Sequence, residues 1–132
     1  MIKTFCILVS ASPLKTQAHL TAMSFVETLY SQQMPIETVF FYQDAVLVAN
    51  NLSTPPSDEP QIRKSWLKLA KKSGFELQTC VAASLRRGIL DKQLADEYQQ
   101  SAPSANSDFV MAGLGQLASA MSDSNKKLIH FK

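Results

Sequence analysis

Two cysteines, two histidines and a pair of adjacent arginines are the side chains of this 132-residue chain whose types lend themselves to covalent chemistry. Cys80 stands out among them. It ends an apolar, strand-like run, Phe75-Glu76-Leu77-Gln78-Thr79-Cys80-Val81, and opens a helix-like run of small residues, Ala82-Ala83-Ser84-Leu85-Arg86-Arg87-Gly88. A thiol at the carboxyl edge of a strand, beside a helix N-terminus, occupies the position where α/β proteins place sulfur nucleophiles. The thiolate is the reactive form, and a helix N-terminus favours it by about 0.3–1 kcal/mol when exposed and up to ~2 kcal/mol when partly buried. Arg86 and Arg87 follow six and seven residues on. On a regular helix their Cα atoms lie roughly 9–10 Å from that of Cys80. They either support the thiolate through space or neutralise the C-terminal end of a short helix ahead of Gly88.

Acyl transfer by a cysteine needs a histidine within reach as general base. His19, at the start of the first helix, and His130, in the final strand, are the only candidates; the sequence places neither beside Cys80, and an isolated histidine is more often a surface or core residue than a catalytic one. A protease or amidase is therefore disfavoured. Sulfur transfer asks for less, because a thiolate attacks the outer sulfur of a persulfide donor without elaborate acid-base machinery. One exposed cysteine suffices for that. Cys6 lies 74 positions away in the middle of Phe5-Cys6-Ile7-Leu8-Val9 and reads as a buried, inert thiol. The lack of a C-x-x-C and of a histidine at metal-ligand spacing argues against a thioredoxin-like site and against structural zinc, and the compartment reads as reducing.

A chain of this length holds one domain with one core. Hydrophobic residues make up 45% and charged residues 18%, the composition of a soluble globular protein, and no apolar run approaches the length of a membrane span. The N-terminal apolar run is short, has Lys3 as the only charge ahead of it and lacks a small-x-small cleavage pattern, so it reads as a buried first strand. With 13 basic and 11 acidic side chains the net charge is +2, which gives no electrostatic ground for a nucleic acid or an anionic membrane as partner.

The elements that must position Cys80 follow from periodicity. Residues 2–10 read as a near-continuous apolar strand, broken by Ala11-Ser12-Pro13-Leu14-Lys15. A helix follows with Ala18, Ala22, Phe25, Val26 and Leu29 on one face, ending at Pro35. Residues 36–42 form a second, β-branched and aromatic strand, with a short helix or turn at 44–50 behind it. The loop 51–60, rich in proline, serine and acids, offers helix N-cap chemistry at Ser57 or Asp58. The next helix buries Ile62, Trp66, Leu69 and Ala70, turns Lys64, Lys68, Lys71 and Lys72 to solvent, and closes at Gly74. After the strand that carries Cys80 come a short helix, a turn at 88–91 and a polar helix with Leu94, Ala95 and Tyr98 in register. A loop at 101–107, a helix with Leu114, Leu117, Ala118 and Met121 on one face, and a strand at 128–131 complete the chain. Strands alternating with crossover-length helices, and apolar on both faces, predict an α/β single domain with a mostly parallel β-sheet flanked by helices on both faces.

The run Cys80-Val81-Ala82-Ala83-Ser84-Leu85-Arg86-Arg87-Gly88-Ile89-Leu90-Asp91 resembles the active-cysteine segment of the DsrE family of intracellular sulfur-relay proteins. Val39-Phe40-Phe41-Tyr42, Ala49-Asn50, Ser57-Asp58-Glu59, Gly113-Leu114-Gly115 and the terminal strand through Phe131 resemble that family in the same order. The first loop, Ser12-Pro13-Leu14-Lys15-Thr16, departs from it in lacking a glycine. The resemblance implies one DsrE-like domain over residues 1–132 and a sulfurtransferase whose Cys80 carries sulfur as a persulfide, with no metal or organic cofactor. It further implies a cytoplasmic heterohexamer with TusB-like and TusC-like sister subunits, a TusA-like sulfur donor and a TusE-like acceptor. The sulfur would be destined for 2-thiolation of the wobble uridine of certain tRNAs, without direct contact between this chain and nucleic acid. Two other readings stay open: a sulfur-trafficking protein of a sulfur-oxidation pathway, with the same fold and cysteine, and a non-catalytic scaffold subunit of the same complex.

Overall fold

The computed structural model describes residues 3–15 and 17–132; Ile2, the expected start of the first strand, and Thr16 lie outside them. The chain runs β1 (Thr4–Val9), α1 (Gln17–Ser31), β2 (Ile36–Phe41), a 3-10 helix (Gln43–Ala49), α2 (Ile62–Ser73), β3 (Glu76–Cys80), α3 (Val81–Arg86), α4 (Lys92–Glu97), β4 (Phe109–Ala112), α5 (Leu114–Ser122) and β5 (Lys126–Phe131). All five strands are parallel, in the order β4-β3-β2-β1-β5. Residues 6–9, 39–41 and 77–80 are buried throughout, as strands covered on both faces must be.

Two elements depart from the sequence reading. β4 is an additional strand, four residues long at the sheet edge. α2 begins at Ile62 with Gln61 as its N-cap residue, not at Ser57 or Asp58. Pro60 explains the later start, because proline steers the residue before it, Glu59, away from helical torsions. The Gln61 side chain instead donates to the carbonyls of Pro56 (3.0 Å) and Glu59 (3.2 Å), closing the turn ahead of the helix.

The order of the strands fixes which face each connection crosses. From β1 to β4 the chain steps along the sheet in one direction, then returns to place β5 on the far side of β1. Since such connections are right-handed, α1, α2, α3 and α4 cover one face and α5 crosses the other.

Where α1, α2 and the sheet meet, three rings lock together. Trp66, fully buried, packs edge-on against Phe41 (5.3 Å between ring centroids, 79°), and the His19 ring stacks on Phe41 (6.0 Å, 7°). Trp66 Nε1–H donates to His19 Nδ1 (3.1 Å), so His19 carries its proton on Nε2 and donates it to the Ala11 carbonyl (2.7 Å). Burial lowers the His19 pKa below its ordinary 6.5, outweighing the opposing effect of the Ala11 hydrogen bond. The unfolded chain takes up this proton near pH 6.5 and the fold does so only at lower pH. Stability therefore falls as pH drops through that window, by up to about 1.4 kcal/mol per pH unit. Urea denaturation at about pH 7.5 and 5.5 is expected to show a smaller loss for His19→Gln than for the parent chain. His130 is also lowered, by burial and then Lys132, but it is present in both proteins, so the difference isolates His19. Equal losses would reject the assignment.

α5 forms where the periodicity predicts it, yet its apolar stripe is not covered. Leu114 is 46% and Met121 65% exposed, Ala118 is exposed, Leu117 is half-buried, and Ala120 is the helix's one buried residue.

Candidate active site

Cys80 is both the last residue of β3 and the N-cap of α3, so strand passes into helix with no connecting residue. It lies opposite Ala112, the last residue of β4. The connections leaving β3 and β4 go to opposite faces of the sheet. Their carboxyl ends therefore flank the topological switch point, where open α/β sheets form the crevice that holds ligands and reacting groups. The first residues of the two departing segments edge this crevice: Val81 is half-buried, and Ala82, Gly113 and Leu114 are exposed.

Cys80 is buried, 1% exposed, which corrects the expectation of an exposed cysteine. Cys80 belongs, with Ala83, Ile89 and Ala112, to the main apolar cluster. A cavity of about 110 Å³ between the first loop and the 51–60 segment, lined in part by Leu14, Leu47, Pro55 and Ile62, does not reach it.

The far end of α3 is held from three sides. Ile89 N–H donates to the Ser84 carbonyl (2.9 Å) and Gly88 N–H to that of Leu85 (3.4 Å), the paired bonds of a helix closed by a left-handed residue, here Gly88 at φ +71°. Arg87 Nη1–H donates to the Ala83 carbonyl (3.0 Å), and Arg87 Nε–H to Asp44 Oδ1 (2.9 Å) in the first turn of the 3-10 helix. Arg87 thus serves the helix end, and Arg86 is exposed. Asp44 carried no sign of this role in the sequence, since nothing local links positions 43 apart.

Neither histidine is a base for Cys80. Both ring nitrogens of His19 are committed, to Ala11 and Trp66. His130 shares a hydrogen bond with Ser10 Oγ (2.8 Å) on β5, at the opposite edge of the sheet. Three strand spacings separate β5 from β3, roughly 14 Å. Among the described residues no three or more of His, Cys, Asp and Glu come together in a way that could hold a metal ion.

Cys6 is buried as expected, within β1 between β2 and β5. Its Sγ–H donates to Glu37 Oε2 (3.4 Å), and Lys126 Nζ pairs with the same oxygen (2.7 Å). Burial first, then Glu37, pushes the Cys6 thiol above its ordinary pKa, so it stays protonated. Both thiols are buried; what separates them is that Cys80 stands at the switch point and Cys6 inside the sheet.

No helix among the described residues is long and apolar enough to cross a membrane. The fold is similar to that in the crystal structure of the ychN protein from E. coli, with a TM-score of 0.74 over 99% of this chain and 100% of that one at 16% identity. Closer in sequence is "Sulfurtransferase TusD" of Serratia proteamaculans, 40% identical over 129 residues, which span 96% of this chain and 98% of that protein. "Sulfurtransferase TusD homolog" of Aliivibrio fischeri is 42% identical over 106 residues, 80% of this chain and 82% of that one. The family model described as the DsrE/DsrF-like family matches residues 3–131, almost the whole sequence that builds the sheet and its switch point. The chain belongs to the DsrE/DsrF-like family.

Proposed function

We propose that this chain is a sulfurtransferase of a sulfur relay, with Cys80 as the sulfur carrier. The observation that carries the reading is the place of Cys80 at the switch point of the sheet, in a chain whose relatives are named sulfurtransferases. The Cys80 thiolate attacks the outer sulfur of a donor persulfide; a bond forms between Cys80 Sγ and that sulfur, and the donor's own sulfur leaves as a thiolate. The acceptor's thiolate then attacks the same outer sulfur, and Cys80 leaves as a thiolate. No oxidant, reductant, metal or organic cofactor enters the balance. A TusA-like protein is the donor, a TusE-like protein the acceptor, and the sulfur serves 2-thiolation of the tRNA wobble uridine in the cytoplasm. TusB-like and TusC-like sister subunits complete a heterohexamer, and the uncovered apolar stripe of α5 supports a permanent protein neighbour.

The 1% exposure of Cys80 favours a second reading, a scaffold subunit that does not itself carry sulfur. Intact-mass measurement separates the two. After incubation with a persulfide donor, the carrier is expected to gain the mass of one sulfur and to lose it on treatment with a reductant. A chain whose mass does not change is a scaffold.

A further inference from the structure

We propose that the outer edge of β5 is a docking site for an extended segment of a partner protein, mixed apolar and acidic in composition, which adds to the sheet as a further strand. The site goes beyond the sulfur-carrier reading and holds whatever Cys80 carries.

β5 is bonded to β1 on one side and forms an edge of the sheet. Two hydrogen bonds fix its phase there: Thr4 N–H donates to the Asn125 carbonyl and Ser10 N–H to that of Phe131, both at 3.1 Å. Successive residues of a strand turn their backbone groups to alternate sides, so Lys127, Ile129 and Phe131 face β1, and Leu128 and His130 aim theirs outward. No group among the described residues takes those outward N–H and C=O groups. Such a row is a template for pairing with another chain. The opposite edge offers less, since β4 is four residues long and β5 six.

The side chains at this edge are incompletely covered. Phe131 lies against Phe25 of α1 (5.7 Å between ring centroids) and Phe25 against Phe5 (6.1 Å). These three, with Leu128 and Ile129, pack on the core yet stay partly exposed. A further strand beside β5 would remove more of this apolar surface from water.

Charge selects the occupant. Residues 124–132 contain Lys126, Lys127 and Lys132 and no acidic side chain. Lys126 is held by Glu37 (2.7 Å), whereas Lys127 is exposed and has no ion-pair partner among the described residues. Antiparallel pairing of β5 with β5 of a second copy would bring lysines together with no acid to separate them, and like charges across a strand pair are destabilising. A partner strand with aspartate or glutamate opposite Lys127 satisfies both the charge and the apolar edge.

The test is residue-resolved amide hydrogen exchange of the full chain, followed by NMR, with and without a capped heptapeptide that has glutamate at both ends and alternating valine and threonine between them. Without peptide, the Leu128 and His130 amides are expected to exchange much faster than those of Ile129 and Phe131, which β1 protects. Peptide at about ten times its dissociation constant slows Leu128 and His130 about tenfold and leaves β4 unchanged. The same peptide with lysine in place of glutamate binds more weakly. Lys127→Glu weakens the glutamate peptide about two- to tenfold and reverses the order of the two peptides. His130→Pro, which removes an outward N–H at an exposed position and spares the bonds to β1, weakens both peptides. Absence of selective slowing at Leu128 and His130 with peptide up to about 1 mM, the range of weak association, overturns the proposal, as does equal binding of the two peptides. Protection of these two amides in the chain alone also overturns it: if that protection grows with chain concentration the occupant is a second copy, and if it does not the edge is closed.

Discussion

Cys80→Ala and Cys80→Ser are expected to abolish sulfur loading and onward transfer outright, whereas Cys6→Ser is expected to retain both within about twofold, the scatter of a substitution outside the reacting site. An outer sulfur can be held only on another sulfur, so neither a methyl group nor a hydroxyl at position 80 substitutes for the thiol. Cys6 cannot take over. Its proton is donated to Glu37 and its pKa is raised by burial, so the nucleophilic thiolate is suppressed at the one other thiol in the chain. The alanine variant is the cleaner probe of chemistry. Serine buries a new hydroxyl in the apolar cluster around Cys80, at about 1–3 kcal/mol if it finds no partner, while alanine only removes an atom. Loading is read by intact mass after exposure to a persulfide donor, and transfer by the appearance of the sulfur on an acceptor thiol. Full loading of either Cys80 variant would place the carrier elsewhere.

What could be read beforehand was local, and what could not was a matter of pairing. The passage from apolar strand to small-residue helix at Cys80 is written in adjacent residues, and it places the residue at the rim of a parallel sheet. Its burial is not so written, because that depends on the register that sets Cys80 opposite Ala112 and on the distant residues of the apolar cluster it joins. β4 escaped notice for a related reason: four residues between a serine-rich loop and a helix are too few to show a period. The pairs that organise the domain, Asp44 with Arg87 and His19 with Trp66, are 43 and 47 positions apart and have no signature in either neighbourhood. His19 did leave a trace, since it lies three and four residues before buried Ala22 and Met23 on the core face of α1. The stripe on α5 shows the limit from the other side. Periodicity reveals a face that needs covering, and nothing among the described residues covers it.

Trp66→Ala is expected to destabilise the fold by about 3–5 kcal/mol, at the upper end for loss of a buried aromatic ring. Trp66 is 0% exposed and is the piece common to α1, α2 and β2: its ring meets both Phe41 and His19, and its Nε1–H satisfies His19 Nδ1. Alanine removes the apolar area, leaves a cavity among rings that cannot collapse into it, and strands a buried ring nitrogen without a donor. Trp66→Phe separates these contributions. It keeps an aromatic ring against Phe41 and loses only part of the volume, yet it cannot donate to His19, so the unsatisfied nitrogen alone predicts about 1–3 kcal/mol. Urea denaturation of the two variants at neutral pH measures both figures. If phenylalanine were as damaging as alanine, the hydrogen bond to His19 would be what joins the two helices to the sheet; if it were harmless, ring packing alone would do so.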